Sequence, residues 1–128
     1  MVLLSDVQAS NALIRTSLPA CLVGVFVGAT SGIGLATLKQ FAKHAHTPRA
    51  YIIGRSQAAA SLIISECKEL NAFGEYKFIA ADISLIRGVD SVCRQIADLE
   101  KSVNILFLSA GVIDLSRTRE PSYQYQHI

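Results

Sequence analysis

Apolar residues along this chain switch repeatedly between unbroken runs and helical stripes. Residues 22–27 form a continuous apolar run, the pattern of a parallel strand covered on both faces. From residue 33 to about 43, Leu35, Leu38, Phe41 and Ala42 recur at helical spacing and leave Lys39 and Lys43 for solvent. Residues 51–53 predict a second, short strand. Ser56 then predicts a helix cap, ahead of a stripe made by Ala59, Leu62, Ile63, Cys67 and Leu70. Residues 76–81 read as a third strand. Ser84 is expected to cap a third helix, in which Leu85, Val89, Val92, Ile96 and Leu99 line one face. Residues 103–108 predict a fourth strand.

Strands and helices in strict alternation imply an α/β fold, a parallel sheet of about four strands flanked by helices. Two flanks depart from that rhythm. Residues 1–20 form an N-terminal extension, with a short helix expected at 5–18 ahead of Pro19 and outside the sheet unit. Residues 112–128 are polar, contain Pro121 and carry no helical stripe, so an irregular tail is expected there.

Composition narrows the function classes. In 128 residues, 51% hydrophobic and 17% charged content describes one domain with a real core rather than a disordered chain. The net charge of +2, with no dense Lys/Arg cluster, argues against nucleic acid or an anionic membrane as partner. The apolar run from Ala20 to Ala29 is too short to span a bilayer. Asp6, Gln8, Ser10, Asn11 and Arg15 break any secretory h-region, so a cytoplasmic protein is expected. Cys21, Cys67 and Cys93 are widely spaced and read as small buried hydrophobes in a reducing compartment. His44, His46 and His127 have no ligand spacing and read as surface residues; no metal is expected.

The chemistry-bearing segment is Gly28-Ala29-Thr30-Ser31-Gly32-Ile33-Gly34, where the first strand hands over to the first helix of the sheet unit. Gly28 suits a tight turn, Gly32 a pyrophosphate lying against the backbone, and Gly34 close packing of helix on strand. The helix N-terminus adds free N–H groups and a positive dipole end. The alternative is a tight strand-to-helix connection with no ligand. About 20 residues further on, where an NAD site holds an acid for the ribose 2′-hydroxyl, the chain reads Ile53-Gly54-Arg55-Ser56. A guanidinium there can instead pair with a 2′-phosphate, so NADP is favoured over NAD. The competing reading of Arg55 is an ordinary solvated arginine at a helix start.

Together with Asp82 in Ala-Ala-Asp-Ile and Ser109-Ala110-Gly111 after the fourth strand, these motifs resemble the short-chain dehydrogenase/reductase family over about residues 21–111. The N-terminal extension resembles, more loosely, a fungal subgroup found near secondary-metabolite pathways. The resemblance implies a Rossmann-like half-domain holding NADP through Gly28, Thr30, Ser31, Gly32, Ile33, Gly34, Arg55, Ser56, Asp82, Ile83, Ala110 and Gly111. Asp82 would bond the adenine amino group, its alternative being a loop or cap residue. Ile83 would pack on the base, and Ala110-Gly111 would form a backbone wall beside the cofactor. Ser109 stands where the family usually has Asn, which puts any role in a proton relay in doubt.

Catalysis in the family needs Tyr-x-x-x-Lys and an upstream Ser. None of Tyr51, Tyr76, Tyr123 and Tyr125 has Lys four residues on, and no Lys follows Lys101. The expectation is therefore an NADP(H)-dependent oxidoreductase by lineage, acting on a carbonyl or alcohol and truncated before its catalytic motif. The alternatives are an inactive NADP-binding module and a non-functional remnant. The open, apolar edge of the fourth strand is expected to promote self-association.

Overall fold

The computed structural model describes residues 1–111. The expected tail, with Tyr123, Tyr125 and His127, lies outside the described residues. Strands β1 (Val23–Val27), β2 (Arg49–Gly54), β3 (Glu75–Ala80) and β4 (Ile105–Leu108) pair in parallel in the order β3-β2-β1-β4. Helices α3 (Gly32–His44), α4 (Gln57–Leu70) and α5 (Ile86–Leu99) connect them. The N-terminal extension contains α1 (Leu4–Ala12) and α2 (Ile14–Ser17), interrupted at Leu13, and neither helix buries a residue.

Side chains alternate across the sheet and so build two cores. On one face, Phe26, Ala50 and Ile52 pack with Leu38 and Ala42 of α3 and with Ile63 and Cys67 of α4. On the other, Val23, Val25, Val27, Tyr51, Ile53 and Ile79 pack with Val92 and Ile96 of α5. β1 is buried at every position because strands flank it on both sides and helices cover both faces. The parallel sheet expected from the pattern is present; β1 and β3 fall within one residue of the expected limits, and β2 and β4 differ by more. β2 runs longer than residues 51–53 because β3 pairs along its whole length, from Arg49–Glu75 to Gly54–Ala80. β4 starts at Ile105; the two residues before it are not strand, and Asn104 instead clamps β1, its N–H donating to Val23 O at 2.9 Å and its Oδ1 accepting from Val23 N at 2.9 Å.

Two further expectations are corrected. Ser84 does not cap the third helix of the sheet unit: α5 follows Leu85, with no side-chain cap, and Ser84 turns back onto Asp82. A short polar side chain two residues after a carboxylate is drawn into a local turn in preference to a cap. Of the cysteines, only Cys67 is a buried hydrophobe, whereas Cys21 and Cys93 are exposed; all three are free thiols.

Burial leaves a mark on titration. It pushes the Cys67 thiol up to about 11 and the Tyr76 phenol up to about 12. Tyr51 rises to about 12 through burial and its hydrogen bond to Glu100. Each group holds its proton more tightly folded than unfolded. Their stabilisation is therefore complete below the ordinary values, 9.0 for the thiol and 10.0 for the phenols, and is lost as pH climbs through the folded values. The urea midpoint is expected to fall steadily between about pH 9 and pH 12; a flat midpoint across that window would contradict the assignment.

Candidate functional site

β1 neighbours both β2 and β4, so the sheet order changes direction at the β1–β4 seam. In open parallel α/β sheets, the crevice beyond the carboxyl ends of the strands at such a point is where ligands sit. The glycine-rich turn follows β1 into this crevice, and Ser109-Ala110-Gly111 follows β4 into it.

The glycines divide the work. Gly28 has φ +83°, and a Cβ there would stand 2.5 Å from Ala110 N and 2.8 Å from Ala110 Cα, so the turn and the β4 end touch backbone to backbone. Gly34 is buried, and a Cβ there would lie 2.5 Å from Gly28 O and against the Ser109 hydroxyl. Gly32, at φ +59°, has nothing within 4 Å of a Cβ position: it faces open space. Ser31, Gly32 and Ile33 are exposed at the start of α3, whose N-cap Ser31 makes no side-chain cap bond and whose first turn holds no acid. Uncapped N–H groups, a positive helix end and a side-chain-free backbone form a cradle suited to an anionic pyrophosphate.

Ser109, where the family usually places Asn, has a use the sequence did not disclose. Its Oγ–H donates to Gly28 O at 3.0 Å, and its N–H donates to Val27 O at 2.9 Å, latching the end of β4 to the turn. Only the strand register, Val27 beside Leu108, puts these residues together.

The other expected residues gather at the ends of β2 and β3. The Thr30 methyl lies 3.5 Å from a Cβ position on Gly54, so the glycine turn overhangs the β2 end. Arg55 follows, exposed, with no carboxylate within salt-bridge distance among the described residues. Ser56 caps α4, its Oγ accepting from Ala59 N at 3.3 Å, which leaves the hydroxyl proton to donate elsewhere. Ala81 N donates to Gly54 O at 2.9 Å and carries the β2–β3 ladder to Asp82. The Asp82 Oδ1 accepts from Ser84 Oγ at 2.6 Å and from Ser84 N at 3.0 Å. Those two bonds, with the charges of Arg55 and Arg87 behind them, hold its carboxyl below the usual range. Ile83 packs partly against the α5-side core, so its side chain is shared between that core and the site. Ala110 lies beside Gly28, and both Ala110 and Gly111 are exposed.

The tyrosines within the described residues sit elsewhere. Tyr51 OH donates to Glu100 Oε1 at 2.7 Å, and Tyr76 OH donates to Asn71 O at 2.9 Å. A cleft lined by Arg15, His46, Thr47, Asn71 and Phe73 lies toward the amino ends of β2 and β3, away from the crevice. Among the described residues, no group of three or more His, Cys, Asp or Glu side chains could hold a metal ion.

Residues 23–126 match the short chain dehydrogenase family. An oxidoreductase of Emericella nidulans is 48% identical over 120 residues, covering 94% of this chain and 35% of that protein. The NmrA-like family domain-containing oxidoreductase notO of an Aspergillus species is 45% identical over 113 residues, covering 87% of this chain and 34% of its own length. The chain thus spans about a third of the length of these curated relatives. L-Sorbose reductase from Gluconobacter frateurii, in a structure with NADPH and L-sorbose, shares the fold at a TM-score of 0.68 and 24% identity, over 82% of this chain and 40% of that one. The parallel sheet, the glycine turn at its β1–β4 seam and this match across most of the sequence agree: the chain belongs to the short-chain dehydrogenase/reductase family.

Proposed function

We propose that this chain is the nucleotide-binding part of an NADP(H)-dependent oxidoreductase that acts on a carbonyl or alcohol, in fungal secondary metabolism. The observation that carries the cofactor reading is Arg55, exposed at the end of β2 with no carboxylate within ion-pair distance among the described residues. NADP(H) fits the residues present: the open backbone at Gly32 and the uncapped start of α3 suit its pyrophosphate. Arg55 and the Ser56 hydroxyl suit the 2′-phosphate, and Asp82, kept ionised, suits the adenine amino group. Bound there, the cofactor supplies hydride exchange with the substrate carbon. The chain's own residues hold and orient it, with Ala110 and Gly111 walling one side. The similar L-sorbose reductase, seen with NADPH, supports the same cofactor.

A fluorescence titration of the full chain with NADPH and with NADH tests the reading. NADPH is expected to bind more tightly, and Arg55→Ala to weaken it about ten- to a hundredfold while leaving NADH unchanged, the worth of charge-assisted bonds to one phosphate. Equal affinity for the two nucleotides would overturn the NADP assignment.

A second reading, binding without turnover by this chain alone, is favoured by the phenols of Tyr51 and Tyr76. Both are engaged with Glu100 and Asn71 and neither belongs to a Tyr-x-x-x-Lys pair. It predicts saturable NADPH binding with no consumption of NADPH by any ketone tested.

We also propose self-association through β4. Its one sheet neighbour among the described residues is β1, and Leu106 and Leu108 are 62% and 68% exposed. Light scattering is expected to show species above monomer mass that Leu106→Lys reduces; a monodisperse wild-type monomer would refute it. The free thiols fit a reducing, cytoplasmic setting, and no helix among the described residues is long and apolar enough to cross a membrane.

A further inference from the structure

Two exposed arginines stand on the elements that flank Asp82, Arg55 just after β2 and Arg87 in the first turn of α5, and the proposed nucleotide contacts use one of them. Arg55 arrives from β2. The Gly54–Ala80 pairing and the Ala81 N to Gly54 O bond of 2.9 Å bring the β2 and β3 ends side by side. Arg87 arrives from the first turn of α5. That turn is seated on Asp82: Leu85 N donates to Asp82 O at 3.3 Å, and a Cβ on Gly88 would collide with the same carbonyl. Like Arg55, Arg87 is exposed and has no ion-pair partner within the described residues. The two hydrogen bonds from Ser84 do most to hold the Asp82 carboxyl down, and the charges of Arg55 and Arg87 act in the same direction.

One carboxylate between two cations leaves a net positive corner at the β2–β3 ends. Ser84 already occupies Asp82 Oδ1, so the carboxylate is not free to turn fully toward either arginine. An anion entering that corner meets charge that the protein has left uncompensated. We propose that Arg87 is a second specificity-determining cation, which acts with Arg55 to favour nucleotides carrying a phosphate on the adenosine ribose. The proposal rests on the NADP reading above and extends it to a residue on a different element. Arg55 supplies the close contact and Arg87 the field across the corner, so the two share the selectivity unequally.

Adenosine 2′,5′-bisphosphate and adenosine 5′-monophosphate are the probes, since they differ by the 2′-phosphate and need no nicotinamide pocket. Calorimetric titration of the full chain is expected to show preference for the bisphosphate. Arg87→Ala should weaken bisphosphate binding about three- to tenfold, the scale of one partly solvated guanidinium facing a phosphate. Binding of the monophosphate should stay unchanged. Arg87→Lys should retain most of the preference, and Arg87→Glu should remove more than Arg87→Ala does. Matching thermal melts show that the variants remain folded, as expected for an exposed side chain. If Arg87→Ala binds the bisphosphate like wild type, or weakens both probes equally, while Arg55→Ala still removes the preference, the inference falls and the NADP reading stands. If wild type does not prefer the bisphosphate, both fall together.

Discussion

Gly34→Ala will destabilise this chain severely, whereas Gly32→Ala, two residues earlier, will leave the fold standing and weaken nucleotide binding. The added methyl at residue 34 would lie 2.5 Å from Gly28 O and 3.0 Å from Ala29 Cα, against backbone that has no rotamer to yield. Relief requires α3 to lift off the β1–β4 seam and to break the Ser109 latch on Gly28. Overpacking against main chain costs about 3 kcal/mol or more, a large part of the roughly 5–15 kcal/mol that holds a domain of this size. At residue 32 the same methyl meets nothing within 4 Å, and its cost is the φ of +59° alone, about 1–2 kcal/mol. Its position is the open face of the turn, where the pyrophosphate is proposed to lie. Urea unfolding should therefore show a collapsed midpoint for Gly34→Ala and a modest shift for Gly32→Ala. NADPH titration of the folded Gly32→Ala protein should show affinity lower by at least about tenfold. A Gly34→Ala chain as stable as wild type would mean that helix and turn do not pack as described.

Glu100→Ala is expected to be the most damaging change far from the crevice. Its side chain is 8% exposed, takes the Arg49 guanidinium at 2.8 Å and accepts the Tyr51 hydroxyl at 2.7 Å. Removing it strands a hydroxyl in the α5-side core. It also leaves Arg49 with its weaker contact to Glu75 at 3.6 Å, although Arg49 Nε is already buried without a hydrogen bond. Breaking a fully buried pair from one side costs about 3–5 kcal/mol; with the Arg49 side chain 33% exposed the loss lies toward the lower figure, so the thermal midpoint should drop by about ten degrees, on the order expected from that loss in a domain of this size. Tyr51→Phe should cost about 1 kcal/mol, because the Arg49–Glu100 pair survives it. Equal losses from the two variants would show that the hydroxyl, and not the ion pair, holds this corner.

The alternation of strands and helices, the two-sided burial of β1 and the glycine turn at its end were all legible in the chain. Each depends on local periodicity or on a residue type without a substitute. Gly28, Gly32 and Gly34 could be named as a set, because only glycine allows both a positive φ and backbone-close packing. Arg55 and Asp82 were visible as residues at strand ends. The family motifs were recognisable for the same reason: they are short and contiguous.

What the sequence did not disclose is the set of contacts between residues distant along the chain. Ser109 reads as a departure from a motif, yet the β1–β4 register makes it the latch on Gly28. Glu100 carries no signal in the sequence pattern, yet folding buries it between Arg49 and Tyr51. Ser84 reads as a helix cap, yet Asp82 captures it first. Arg87 had no place in the motif reading and gains one because α5 begins on the carbonyl of Asp82. Period and residue type determine which elements form, since those preferences act within a few residues. Which side chains then meet is decided by strand order and register, because only the folded sheet brings the ends of β1, β2, β3 and β4 to one edge.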